Sequence, residues 1–219
     1  MSILGNNLLA QYYAQNQGLP FGYEAVEYLE SSGSQYIDSG VECTSQLIVS
    51  FKGQSLTDVN AACCGGINSE LSPILFRHHW SISAKSFSYW CQYGQVALAS
   101  IRPTVDSVVD VHTGYINPVL GNAIVDGSLI TFAPIQHFYT TGKNYGIFGR
   151  ISNTGIIQSR PCRFFLFQME LNNNKVRDFI PCIRKSDNKP GMYDLCKSIC
   201  PLTGTPFYIN AGTSEFVTP

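Results

Sequence analysis

The feature that most constrains this chain is a series of short alternating segments that runs almost unbroken from Tyr23 to Arg184. Gln35–Val41, Gln46–Lys52, Ala61–Ile67, Pro73–Ile82, Phe87–Tyr93, Ser107–Asn117 and Asn144–Ile151 follow one another at short spacing. A period of two places successive side chains on opposite faces of a strand, and no long 3.6-residue period interrupts it. Glu24–Glu30 opens the series with Ala25, Glu27 and Leu29 on one face and Val26 and Tyr28 on the other. Ala123–Ile130 is a compact hairpin about Asp126-Gly127, which supplies the positive-φ positions of a type I′ turn. Cys162–Leu171 and Lys175–Arg184 make the longest hairpin, joined through Asn172-Asn173-Asn174, because asparagine tolerates the left-handed conformation. Arg163–Phe167 is apolar on both faces and reads as a central strand. Such a chain is expected to be all-β, an antiparallel β-sandwich or a barrel.

The first twenty residues differ. Asn6–Gln17 reads as a short helical or extended anchor whose apolar face carries Leu8, Leu9, Tyr12 and Tyr13, and Gly18 and Pro20 end it. So short a helix is marginal alone and must dock, either on its own domain or on a partner protein, and Leu8, Leu9, Tyr12 and Tyr13 are taken as partner-binding residues that lose water against another protein or a copy of this chain. The expected organisation is an anchoring segment, residues 1–20, followed by one domain, residues 21–219, a length that a single sandwich accommodates.

Charged residues make up only 13% of the chain and the net charge is −1. Phosphate neutralisation needs clustered Lys and Arg, so a nucleic-acid partner is not expected. No run approaches the ~20 apolar residues of a membrane span, and Met1–Leu19 lacks the basic start of a secretory signal. The reading that follows is synthesis in a cytoplasm, where the eight cysteines are buried thiols. Cys63 and Cys64, adjacent on a strand, are expected on opposite faces. Cys196 and Cys200 have the spacing of a zinc pair without a second pair, and a disulfide in that loop is the alternative.

The stretch from Tyr23 to Gly40, Tyr-Glu-Ala-Val-Glu-Tyr-Leu-Glu-Ser-Ser-Gly-Ser-Gln-Tyr-Ile-Asp-Ser-Gly, opens the domain. Val176-Arg177-Asp178-Phe179-Ile180-Pro181, then Arg184–Asp187, Gly191-Met192-Tyr193-Asp194 and Phe207–Gly212, close it. Together these resemble the concanavalin A-like, laminin-G-like jelly-roll domains of phage and prophage structural proteins from gut bacteria. The resemblance spans Tyr23–Thr218 and departs from the family pattern at Leu195–Pro206, an inserted loop. It implies a jelly roll with first and last strands close together. It also implies a virion component such as a head fibre, a capsid decoration or a tail-fibre piece, made in the host cytoplasm and assembled as a dimer or trimer with other virion proteins.

Catalysis is not expected. Glu24, Glu27 and Glu30 alternate faces or lie ~20 Å apart along a strand, so no glycosidase pair converges. His78, His79, His112 and His137 have no nucleophile elbow beside them, and Gly65-Gly66 lacks the lysine of a phosphate loop. Asp106, Asp110, Asn122 and Asp126 have no calcium-loop spacing, so no metal or cofactor is assigned. A bacterial surface glycan is the alternative ligand. Trp80, Tyr89 and Trp90 (with Tyr93 nearby) are candidate stacking platforms, and Arg77 and Gln92 are candidate polar neighbours.

Overall fold

The computed structural model describes residues 18–57, 61–67, 75–81, 86–93, 96–101, 110–157 and 161–219, with backbone alone over 61–62 and 75–101. Residues 1–17, and with them Leu8, Leu9, Tyr12 and Tyr13, lie outside the described residues.

Among the described residues, eighteen strands form two sheets. Sheet A runs β11(Ser128–Thr131), β10(Asn122–Val125), β9(Val111–Asn117), β4(Ile48–Ser55), β15(Pro161–Leu171), β16(Asn174–Arg184), β17(Lys189–Asp194), β18(Phe207–Tyr208). Two more strands pair into it: β1(Tyr23–Ala25) against β16, and β2(Leu29–Ser32) against β15. Sheet B runs β14(Gly155–Ile157), β13(Arg150–Ser152), β5(Ala61–Ile67), β6(Leu75–Ser81), β7(Ser86–Tyr93), β8(Val96–Ile101). There β12(Thr140–Ile147) pairs with β5 and with β3(Ile37–Thr44). Pairing is antiparallel throughout except β13 with β5. The result is an all-β jelly-roll sandwich.

Turn chemistry accounts for the tight hairpins. Asp126 and Gly127 both have positive φ between paired Val125 and Ser128. Asn172 and Asn173 do the same between Leu171 and Asn174, so a two-residue loop joins the 11-residue strands. The opening segment differs from expectation. Glu24–Glu30 is two strands, because the chain leaves β16 at Val26, whose N–H still donates to Pro181 O, and reaches β15 at Leu29.

The interior is aromatic. Phe51, Phe164 and Phe167 of sheet A meet edge-on or stacked, with centroids 5.2–6.4 Å apart, and Tyr145 and Phe148 close on them from sheet B. Close approach makes room for this: a Cβ on Gly114, opposite Phe51, would sit 2.5 Å from its ring. The opening and closing motifs meet as well. The Gln35 amide accepts from Ser32 N–H and donates to Glu215 O, and Asn210 Oδ1 accepts from Tyr36 N–H and Gly212 N–H.

The closing motif is a fold determinant. Tyr193 and Tyr208 are buried, and a Cβ on Gly191 would lie 2.4 Å from Tyr208 O and 2.7 Å from the Phe207 ring. Since rigid backbone forms that wall, Gly191→Ala is expected to cost about 2–3 kcal/mol in urea unfolding. Gly22→Ala, where a Cβ meets nothing within 4 Å, should change stability by less than about 1 kcal/mol.

Candidate functional site

Backbone register sorts the candidate glycan residues. Arg77 is directly opposite Trp90, and Gln92 is two residues further along β7. Trp80 and Tyr89 occupy positions of the other parity, opposite Phe87 and His78. His78 is in turn paired with Cys64, a core residue. Thus Arg77, Trp90 and Gln92 fall on one parity of sheet B, and Trp80 and Tyr89 on the other.

The cysteines are placed by a bulge that the sequence did not reveal. Between Ala62 and Cys64 the register shifts by one, so Cys63 and Cys64 both enter the core, their Sγ atoms 3.9 Å apart. This corrects the expectation of opposite faces. Tyr145 Oη donates to Cys64 Sγ at 3.3 Å, and Cys43 and Cys162 join the same cluster. Burial pushes the Cys63 and Cys162 thiols well above their ordinary range. Cys182 is pushed by burial up to about 12. Cys196 and Cys200 are unbridged thiols. Burial, helped by the Asp194 and Asp178 carboxylates, raises Cys196 to about 11.

Acidic groups are each committed to a partner or stand apart. Glu30 accepts from Arg163 Nε at 2.7 Å, and the Arg163 guanidinium also lies over the Tyr28 ring. His112 Nδ1 donates to Asp126 Oδ2 at 2.6 Å, and Thr113 N–H donates to Asp126 Oδ1. Burial opposes the Asp126 charge, but these donors outweigh it and hold the carboxyl below its ordinary value. Sequence reasoning took His112 as a structural histidine without naming its partner; the 118–121 turn folds β10 back beside β9, and Asp126, just past the end of β10, is thereby brought to His112 at the start of β9. Among the described residues no three His, Cys, Asp or Glu side chains converge as a metal site would, and no helix is long and apolar enough to cross a membrane.

What the surface does offer is apolar. Val119, Leu120, Leu129 and Phe138 are 44–66% exposed. Val119 and Leu120 lie in the β9–β10 turn and Leu129 in β11, and Phe132 N–H donates to Gly121 O and Ile135 N–H to Pro118 O, which folds the segment that leads to Phe138 onto that turn. The edge strand, Ser128-Leu129-Ile130-Thr131, carries neither charge nor proline. Edge strands that avoid pairing with other chains usually carry one of these.

No protein-family model matches this chain, and no curated protein matches it by sequence. Among solved structures it is similar to the native heptameric SAP-like pentraxin of Limulus polyphemus, at 9% identity and a TM-score of 0.45, over 67% of this chain and 76% of that one.

Two outcomes test this description. With an aromatic disulfide reagent on native protein, Cys196→Ser should remove one accessible thiol, labelled more slowly than an ordinary one because its pKa is raised, whereas Cys63→Ser and Cys162→Ser should leave the labelled set unchanged. Fast labelling of Cys63 would contradict its burial. Asp126 stabilises the fold while ionised, so its contribution is present above the unfolded carboxyl value of about 4 and disappears as pH falls through the lower folded value. Asp126→Asn should therefore destabilise at pH 7 and converge on wild type in strong acid. The difference should stay under about 1 kcal/mol, because a carboxylate 42% exposed is screened by solvent.

Proposed function

We propose that this chain is a structural protein that acts by assembly and surface binding, as a phage virion component of the head-fibre, capsid-decoration or tail-fibre kind. The observation that carries the reading is the uncharged edge of sheet A, where β11 is the outermost strand among the described residues and Leu120, Leu129 and Phe138 are exposed. Edges of this kind associate with other chains, and exposed apolar patches mark interaction surfaces. The low charge, 13% of residues, suits a subunit packed among others. The opening and closing motifs, which resemble phage and prophage jelly rolls, supply the rest. The partners are copies of this chain, in a symmetric dimer or trimer, and other virion proteins.

A bacterial surface glycan is the second reading. It is favoured by the register that sets Arg77 opposite Trp90, with Gln92 on the same face of sheet B. A stacking ring with polar groups beside it is the chemistry a sugar needs. Hydrolysis of that glycan is the weakest reading, since no pair of carboxylates faces across a cleft among the described residues.

For assembly, the triple variant Leu120→Ser, Leu129→Ser, Phe138→Ser should keep the wild-type fold by circular dichroism and weaken self-association or particle incorporation at least about tenfold, the equivalent of ~1.4 kcal/mol. Unchanged association would remove the edge from the interface. On a glycan array, Trp90→Ala should abolish any specific signal while the protein stays folded. Retention of the signal by Trp90→Ala would exclude that face.

A further inference from the structure

Two buried polar atoms on the inner face of sheet A, Asp194 Oδ2 and Tyr208 Oη, have no hydrogen-bond partner among the described residues. Both residues are fully buried. A polar group taken out of water without a partner is destabilising, and native interiors keep few of them. The rest of the Asp194 carboxylate is satisfied, since Oδ1 accepts from Asp178 N–H at 2.8 Å and from Cys196 N–H at 3.0 Å. Oδ2 faces Arg177 Nε across 3.8 Å, too far for a hydrogen bond, and that N–H already donates to Ser39 O at 2.8 Å.

The fold brings these two atoms to one place. Tyr208 is the Cα partner of Met192, which precedes Asp194 by two residues on the same face of β17. The Tyr208 ring meets Phe179 edge-on, with centroids 4.9 Å apart, and Phe179 is the Cα partner of Asp194. Arg177 stands beside both, its Cζ 5.7 Å from the Tyr208 ring centroid. Burial pushes the Tyr208 phenol up to about 12, against the pull of Arg177, so it keeps its proton and is a donor at neutral pH. The phenol does not reach the carboxylate directly. The chemistry of the two groups therefore selects what can join them, a species that accepts from the phenol O–H and donates to the carboxylate. Chloride cannot donate and would face Asp194. Ammonium cannot accept, and it would face Arg177, as would a metal cation. Water does both and carries no charge, and interior waters collect where several polar groups converge.

We propose that one ordered water is built into the sandwich here, accepting from Tyr208 Oη and donating to Asp194 Oδ2 beside the Arg177 guanidinium. With it a polar path runs from Ser39 O in β3 of sheet B, through Arg177 and Asp194, to Tyr208 in β18. Strand β18 is only two residues long, and the water fastens it by a side chain in addition to its backbone pairing with β17. This inference does not rest on the virion reading. The site is the same whatever the edge of sheet A binds.

The experiment pairs a high-resolution crystal structure of the full chain with water relaxation dispersion, which counts long-lived internal waters in solution. The crystal should show one solvent peak within hydrogen-bond distance of both Asp194 Oδ2 and Tyr208 Oη, without the anomalous signal of a heavier ion. Tyr208→Phe deletes the hydroxyl alone. It should stay folded by circular dichroism and lose one long-lived water from the dispersion amplitude, whereas Tyr193→Phe, on the opposite face of sheet A, should lose none. A phenol that donates directly to Asp194, an ion in place of the water, or the lack of any peak joining the two groups would overturn the proposal. So would a folded Tyr208→Phe protein that keeps the full dispersion amplitude. If Tyr208→Phe does not fold, the electron density of the unaltered protein decides alone.

Discussion

Arg177 and Asp194 hold the two sheets together from inside. Asp194 is fully buried, its Oδ1 accepting from Asp178 N–H and Cys196 N–H, and its Oδ2 faces Arg177 Nε at 3.8 Å. Arg177 belongs to β16 of sheet A, yet its Nε donates to Ser39 O in β3 of sheet B. One cation thus fixes the spacing of the layers, and one carboxylate fixes where β17 turns into the 195–206 loop. A buried pair of this kind adds little net stability compared with apolar packing. Losing one member is severe because the other is stranded without water. That asymmetry makes such a pair suited to specifying a single arrangement of the sheets, a role the surrounding aromatic rings, which slide over one another more freely, fill less well.

The legible part of the fold was the part written in local chemistry. Asp126-Gly127 and Asn172-Asn173 carry their turn geometry in their own side chains, and both hairpins have the expected positive-φ residues. Arg163–Phe167, apolar on both faces, is a central strand flanked by β4, β2 and β16. Gly191, in the closing motif, has no room for a Cβ.

The features that were not legible depend on partners distant in sequence. Nothing in Ala61–Ile67 shows that its register against β6 slips at Ala62, yet that slip turns Cys63 inward beside Cys64. The Val26 break between β1 and β2 follows from β15 and β16 diverging, roughly 140 residues later in the chain. Strands β8 and β14 are short edge strands with weak alternation. Of the candidate site, the aromatic–polar composition of β6 and β7 was visible. Its division into two faces was not, because parity relative to the core is set only once β5 is in place.

The outer face of sheet A ties these points to the composition. A two-layer sandwich needs apolar residues on one face of each sheet, which an alternating chain supplies with about half its strand positions. Here β15 and β16 are apolar on both faces at Leu166, Phe167, Phe179 and Ile180. The outer set is already roofed at one end by Leu19, Tyr23, Leu195 and Ile209. Central strands buried on both sides belong to three-layer architectures, where the third layer comes from a helix, a loop or another chain. Among the described residues, the 195–206 loop adjoins that face through Leu195.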